Sequence, residues 1–327
     1  MWSRIKAFNG WSVKRIIGFK GREILGGVQI LFRRVKFFGS IGYAPKIPES
    51  ITGKPGFADA LVEQIKRVAI SEGLQAVLAQ PANNGIFANR MFDHGFRTCP
   101  VETAPTATVL VDLTDELDQI LARMNKSMRN AVRRSTKRGL SFRVGDRNDL
   151  STFHQLLGRT SERRGFSTFE LEYFRQMWDE CEPTGRMQVF LCEYEGEPVS
   201  SQVCVSFGNT VVAKQIGWSG KHHKRHPNEG LDWFTIKWAK DNGFQYYDLE
   251  GIKRPAAVAF QEGKAIPQEY ENSPTSYKLK LGGAVQVYPS AYCFVVNPVL
   301  RPLYNRIGCH VADWPIFQKA VSRFRTA

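Results

Sequence analysis

The stretch MNKSMRNAVRRSTKRGL, Met124 to Leu140, carries six basic residues and no acidic one. At about 100° per residue, Lys126, Arg129, Arg133 and Lys137 fall within an arc of roughly 80° on a helix, and Met124, Met128, Ala131, Val132 and Ser135 take the opposite side. A helix face that meets only water usually mixes glutamates among its lysines, because opposite charges one turn apart relieve repulsion. Nothing in this stretch supplies that relief. Two readings stand: a solvated cationic face, or a face that meets phosphates. On the second, Lys126, Arg133 and Lys137 are the nucleic-acid or membrane contacts.

Other groups could do chemistry. Asp112 closes the apolar run ATVLVD, and is either a proton acceptor that positions an amine or a structural aspartate ahead of a helix. Asp248 closes FQYYD in the same manner, and there a turn-stabilising role is the alternative. His222, His223 and His226 stand in HHKRH, but the lysine and arginine between the imidazoles repel a cation, so no metal is expected. No G-x-x-x-x-G-K-[ST] and no G-x-S-x-G occurs, which removes the support for a P-loop nucleotidase or an elbow-type hydrolase.

The elements that must position these groups are mixed. Arg22 to Pro45 reads as one or two antiparallel strands, and PGFADALVEQIKRVAISEGL as an amphipathic helix stopped by Gly73. TATVLVDLT is a strand, and Asp115 to Leu140 is one long helix ended by Gly139. Two helices follow, then a three-stranded meander with turns at EGEP and FGNT, the helix EGLDWFTIKWAKDNG and the strand FQYYDLEG. Each half thus runs strands, helix, strand, a weak repeat of an α+β unit. The polar GDRNDL places the boundary between residues 146 and 147, with a first domain over 1–146 and a second over 147–327. The tail from about 300 is expected to pack back on the first.

The chain has 327 residues and a net charge of +14, which predicts attraction to phosphates, nucleic acid or an anionic membrane face without choosing among them. No apolar run reaches the length of a spanning helix, and the N-terminal residues lack a signal-peptide core, so a cytoplasmic location is expected. Six scattered cysteines without a C-x-x-C pair suit a reducing compartment.

Five stretches in order resemble the Fem family of aminoacyl-tRNA-dependent peptidyltransferases, of the GNAT superfamily: GWSVKRIIGFKGREILGGVQILFRR, IGYAPKIP, LVDLTDELDQILARMNKSMRNAVRRSTKRGL, HPNEGLDWFTIKWAKDNGFQYYDLEG and SYKLKLGG. The resemblance implies an α+β fold of two tandem GNAT-like domains, with mixed sheets flanked by helices. It implies aminoacyl transfer from aminoacyl-tRNA to an amine of a peptidoglycan precursor, lipid-linked or UDP-linked, with peripheral contact to the inner membrane face and no cofactor. By the same resemblance, Lys278 is the catalytic cation. Tyr43, Lys46, Arg129, Tyr173, Asp248 and Tyr277 are substrate-binding residues, with Lys46 toward a diphosphate. The chain departs from the family pattern at Ile47, for a glycine, at Phe169, for an arginine, and at Leu281, for an aromatic residue. Two alternatives remain: an acyl-CoA-dependent N-acyltransferase acting on a sugar or peptide amine, and a non-catalytic RNA- or membrane-binding protein. Against the first, RHPNEGLDW offers one glycine, Gly230, where a CoA pyrophosphate loop has several, and Pro227 lacks an N–H.

Overall fold

A computed structural model describes residues 1–35, 39–48, 55–83, 85–99 and 104–311, and the side chains of Pro55 and 307–311 are left out. The chain runs through α1 (Trp2–Ala7), β1 (Ser12–Lys20), β2 (Glu23–Val35), β3 (Gly39–Ile47), α2 (Pro55–Ser71), β4 (Leu74–Pro81), α3 (Ile86–Asp93) and β5 (Arg97–Thr98). It continues through β6 (Ala107–Asp112), α4 (Leu117–Arg123), α5 (Lys126–Ser135), β7 (Leu140–Val144), α6 (Asp149–Arg164) and α7 (Leu171–Cys181). Then come β8 (Met187–Tyr194), β9 (Glu197–Phe207), β10 (Thr210–Trp218), α8 (Pro227–Asp241), β11 (Tyr246–Asp248), α9 (Arg254–Gln261), α10 (Pro274–Leu279) and β12 (Ala284–Val287). The last elements are β13 (Tyr292–Val295) and α11 (Leu300–Val311).

These form two units, Met1–Thr106 with Tyr288–Ala327, and Ala107–Val287. The divide differs from the expected 146/147 boundary because β6 pairs with β11 and β12, which ties the segment before the basic helix to the second sheet. α11 groups with the first unit, and residues beyond 311 lie outside the described ones.

Each unit is a mixed sheet with helices and contains one parallel pair. The first sheet runs β1-β2-β3-β4-β13-β5, antiparallel except for β3 beside β4, which α2 connects. The second runs β12-β6-β11-β10-β9-β8-β7, antiparallel except for β10 beside β11, which α8 connects. A parallel neighbour needs a crossover, and a helix is the usual one. In the first unit α2 buries Leu61, Val62, Ile65 and Ala69 in a core with Ile30, Val77 and Phe294. In the second, Val109, Val111, Phe190, Ile236 and Tyr247 close the larger core.

The long helix expected over Asp115 to Leu140 is two helices. Met124 has extended backbone, and Asn125 caps α5 by accepting from the Met128 N–H at 2.8 Å. A side-chain acceptor there satisfies an N–H that would otherwise lack a partner. The periodicity of α5 holds: Met128, Ala131, Val132 and Ser135 are buried, and Lys126 and Arg133 are exposed. Lys137 lies past the helix end, in a turn to the Arg134 carbonyl.

Backbone closeness holds α6 on β10. A Cβ at Gly217 would stand 2.5 Å from the Leu157 nitrogen and 2.7 Å from the Leu156 carbonyl carbon, both backbone atoms with no rotamer to yield. Gly217→Ala is therefore expected to cost about 1–3 kcal/mol, read as a lower urea midpoint. An unchanged midpoint would show that α6 can shift freely.

Cys99, Cys181, Cys192, Cys204 and Cys293 are buried thiols. Burial pushes the Cys192 thiol up to about 12, so it packs as an inert small side chain. Among the described residues, no helix is long and apolar enough to cross a membrane.

Candidate functional site

In the second unit, β10 and β11 pair side by side only over Thr210–Val212 and Tyr246–Asp248. Beyond Val212, β10 continues to Trp218 along β9 alone, while the chain after Asp248 turns away. Ligands of α/β sheets gather at such carboxyl ends, where diverging strands leave backbone groups unpaired.

The turn after β11 is tightly made. Asp248 Oδ1 accepts from the Glu250 N–H at 2.7 Å and from the Thr108 hydroxyl. Glu250 and Gly251 have φ of 49° and 31°, which aims both their carbonyls at one point. Lys278 occupies that point. Its Nζ donates to the Gly251 carbonyl at 3.0 Å and to the Glu250 carbonyl. The Glu250 carboxylate pairs with Lys214, which projects from an irregularity in β10 between Ala213 and Gln215. Lys278 loses solvation through burial, which lowers its pKa; the charges of Glu250, Asp232 and Asp248 oppose that fall and Lys214 adds to it.

Lys278 stands on α10, a helix started by Ser273 and Pro274. One residue earlier, the Tyr277 hydroxyl donates to Asp232 Oδ2 at 2.6 Å. Asp232, on α8, is 2% exposed. It also accepts from Gln202 Nε2 at 3.0 Å and the Tyr247 hydroxyl at 3.3 Å, and Gln202 in turn accepts from the Thr235 hydroxyl at 3.1 Å. Burial raises the Asp232 pKa, and the three donors partly restore the charged form. Tyr173, on α7, stacks on Phe169 with ring centroids 4.2 Å apart. Burial pushes its hydroxyl up to about 12, with the Glu250 charge adding to the rise.

The structure thus brings Lys278, Asp248, Tyr277 and Tyr173 into one neighbourhood, with Lys214, Glu250 and Asp232 as additions. Asp112 is a correction. It lies at the opposite end of the β6–β11 pairing, across from Tyr246, while Leu110 faces Asp248. Its carboxylate accepts from the Thr114 N–H at 2.9 Å and hydroxyl at 2.7 Å, which lowers its pKa. A carboxylate so held is a turn stabiliser and a poor base. Arg129 donates to the Ala122 carbonyl at 3.1 Å and to the Met124 carbonyl, closing the end of α4.

The first unit repeats the parallel-pair arrangement. Tyr43 is buried on β3, and Lys46 follows where the register to β4 shifts between Ala44 and Ile47. Lys46 has φ 44°, and its Nζ lies 4.3 Å from the Tyr288 ring centroid. A cation over an aromatic face is attracted by the ring quadrupole.

Residues 122–256 match the acetyltransferase (GNAT) domain family. The lipid II:glycine glycyltransferase of Staphylococcus haemolyticus (strain JCSC1435) is 28% identical over 225 residues, 62% of this chain and 51% of that protein. Its counterpart in Staphylococcus aureus (strain MRSA252) is 27% identical over 217 residues, 59% of this chain and 49% of that protein. The crystal structure of FemX superposes with a TM-score of 0.77 at 19% identity, covering 94% of this chain and 92% of that one. A tandem GNAT protein from the clavulanic acid biosynthesis pathway gives 0.54 at 12% identity, covering 88% and 84%. In sequence the chain is similar to these glycyltransferases, a GNAT domain matches its residues 122–256, and it shares the fold of FemX. The tandem α+β fold expected for a Fem-type chain is the fold observed, one sheet per unit. The chain spans about half the length of the staphylococcal relatives. The matched region holds α5, Lys214, Asp232 and the Asp248–Gly251 turn, and ends before Lys278.

Lys214, Glu250 and Asp232 escaped the sequence reading. Two signals were present: a lysine inside the apolar strand VVAKQIGW, and a carboxylate between Leu231 and Trp233 in an otherwise apolar helix face.

Proposed function

We propose that this protein is an acyltransferase that moves an aminoacyl group from aminoacyl-tRNA to an amine of a peptidoglycan precursor, at the membrane face of the cytoplasm. The observation that carries the reading is the Lys278 ammonium, seated by two carbonyls at the end of the β10/β11 pair. The names of the staphylococcal relatives supply the acceptor class, a lipid-linked muramyl peptide.

The step is aminolysis of an ester. The neutral amine attacks the ester carbonyl, a C–N bond forms, and the carbonyl electrons become an oxyanion. The oxyanion collapses, the C–O bond to the terminal ribose breaks, and that oxygen takes a proton as the amine loses one. The ester is already activated, so the protein's work is alignment and charge stabilisation, without a covalent intermediate. Two of the three Lys278 N–H groups hold the turn, and the third faces the oxyanion. Glu250, the carboxylate whose charge acts most strongly on Lys278, orients the attacking amine. Tyr43 and Lys46 hold the precursor, with Lys46 toward its diphosphate.

The N-terminus of α8 disfavours the acyl-CoA alternative. Pro227 opens the helix without an N–H. Gly230 owes its small size to packing, because a Cβ there would stand 2.5 Å from Phe142 Cζ and 2.6 Å from Ser135 Oγ. The test incubates the protein with a muramyl-pentapeptide lipid and either mixed aminoacyl-tRNAs or acetyl-CoA. A precursor mass increase by one amino-acid residue is expected from the first donor only; an acetyl increment alone would overturn the reading.

The basic face of α5 is assigned to the tRNA. Reversing Arg133 and Lys137 together to glutamate is expected to weaken RNA binding about tenfold or more at low salt and to flatten its salt dependence. Unchanged binding and slope would return this face to plain solvation.

A further inference from the structure

The HHKRH motif is absorbed by neither the fold nor the proposed reaction. It forms a short turn, His223–Arg225, beside the C-terminal end of α5. Together with Arg138 it lines an open pocket of about 510 Å³, whose lining is Arg138, His222, His223, Lys224 and Arg225. Three side chains with permanent charge and two imidazoles therefore surround one space, and no carboxylate lines it. Two acids touch its surroundings: Glu229, whose carboxylate is 3.5 Å from His226 Nδ1, and Glu195, which hydrogen-bonds to the Tyr194 side chain.

Gathering these charges costs energy, yet the pocket is locked in place. Arg225 donates to the Arg138 carbonyl and at 2.6 Å to the Tyr194 hydroxyl, while Arg138 donates back to the Lys224 carbonyl. The Arg225 guanidinium lies 3.9 Å from the Tyr194 ring centroid, and the His222 ring 4.7 Å from it. His222 and His226 both adopt the left-handed backbone, at φ 57° and 60°, to make the turn. A rigid cationic pocket binds an anion with little ordering cost.

We infer that this pocket, with the basic face of α5, is a binding surface for the phosphodiester backbone of an RNA strand. The inference rests on the aminoacyl-tRNA reading for its biological partner, but its chemistry stands on the pocket. A second cationic pocket, lined by Arg129 and Arg133 with Asp118, Leu121 and Ala122, flanks the other end of α5. Arg129 and Arg133 stand about 6 Å apart along the helix axis at about 1.5 Å per residue, and Arg138 follows in the turn past the end of α5, so the cations continue from one pocket to the other. A lipid-inserting face would need apolar side chains among the cations. The exposed residues of α5 are Lys126, Ser127, Asn130, Arg133 and Arg134, and none is apolar.

The test uses the full chain, a short hairpin RNA with a single-stranded CCA end, and anionic phosphatidylglycerol vesicles. Lys224 and His223 are exposed, so Lys224→Glu and His223→Glu leave the lock intact. Each is expected to weaken hairpin binding about tenfold and to lower the slope of log affinity against log salt by about one. Lys20→Glu, an exposed charge change in the first unit, is expected to do neither. Inorganic pyrophosphate is expected to compete with the hairpin on the wild type and not on Lys224→Glu. Unchanged hairpin affinity and slope in both loop variants would overturn the inference, as would a loss confined to vesicles. RNA binding through the loop without aminoacyl transfer would leave this inference standing and remove the proposed donor.

Discussion

Lys278→Met is expected to lower the turnover of aminoacyl transfer by about 10²–10³-fold while leaving precursor affinity within about threefold. Methionine keeps the length of the side chain and deletes its charge. What is lost is the cation at the turn carbonyls of Glu250 and Gly251, where the proposed step places its oxyanion. Precursor affinity survives because its neutral attacking amine carries no negative charge for the ammonium to hold, and the oxyanion exists only in the transition state. The pH profile gives an independent reading. Burial lowers the Lys278 pKa, so the required cation is lost at a lower pH than an ordinary lysine, whose value is about 10.4. The alkaline limb of the wild-type rate is therefore expected to fall below that value, and Lys278→Met to lack it. Equal losses in turnover and affinity would make Lys278 a binding residue.

Asp232→Ala is expected to destabilise the protein by about 2–4 kcal/mol, because it removes the acceptor of the Tyr277, Gln202 and Tyr247 donors and leaves a void. It is also expected to loosen α10, since Tyr277 is tied to Asp232 one residue before Lys278. Asp232→Asn keeps the shape and isolates the charge. Burial raises the folded-state pKa of Asp232, so the native chain holds a proton more readily than the unfolded chain. The stability this contributes is complete below the ordinary carboxylate value of about 4 and is lost as pH rises through the raised folded value. Asparagine has no such proton. The variant is therefore expected to gain on the wild type in denaturation midpoint as pH rises across that window. Parallel pH profiles would show that Asp232 is not the group that titrates.

Local turn chemistry made the meander readable: β8, β9 and β10 are separated by the turns expected at EGEP and FGNT. The apolar side of α5 was equally readable, since Met128, Ala131, Val132 and Ser135 recur at helical spacing. The break before it was hidden, because the helical pattern passes through Met124 and only the Asn125 cap interrupts it. β6 looked like part of the first half because its partners β11 and β12 lie far downstream, and pairing at that range leaves no local trace. The site followed the same rule. Lys278 and Tyr277 were reached through family resemblance, and the neighbours that give Lys278 its setting come from β10, the β11 turn and α8. Lys214 meets Glu250 only after the parallel pair forms. Asp112 and Asp248 end their strands in similar sequence contexts, and only the pairing shows that they mark different ends.

The most direct measurement is the affinity of a phosphonate analogue of the tetrahedral intermediate, bearing the aminoacyl group joined to the precursor amine. Across wild type, Lys278→Met and Glu250→Gln, analogue affinity is expected to fall in proportion to kcat/KM, with Lys278→Met losing about 10²–10³-fold. An analogue that binds wild type and Lys278→Met equally well would place the developing negative charge elsewhere and contradict the account.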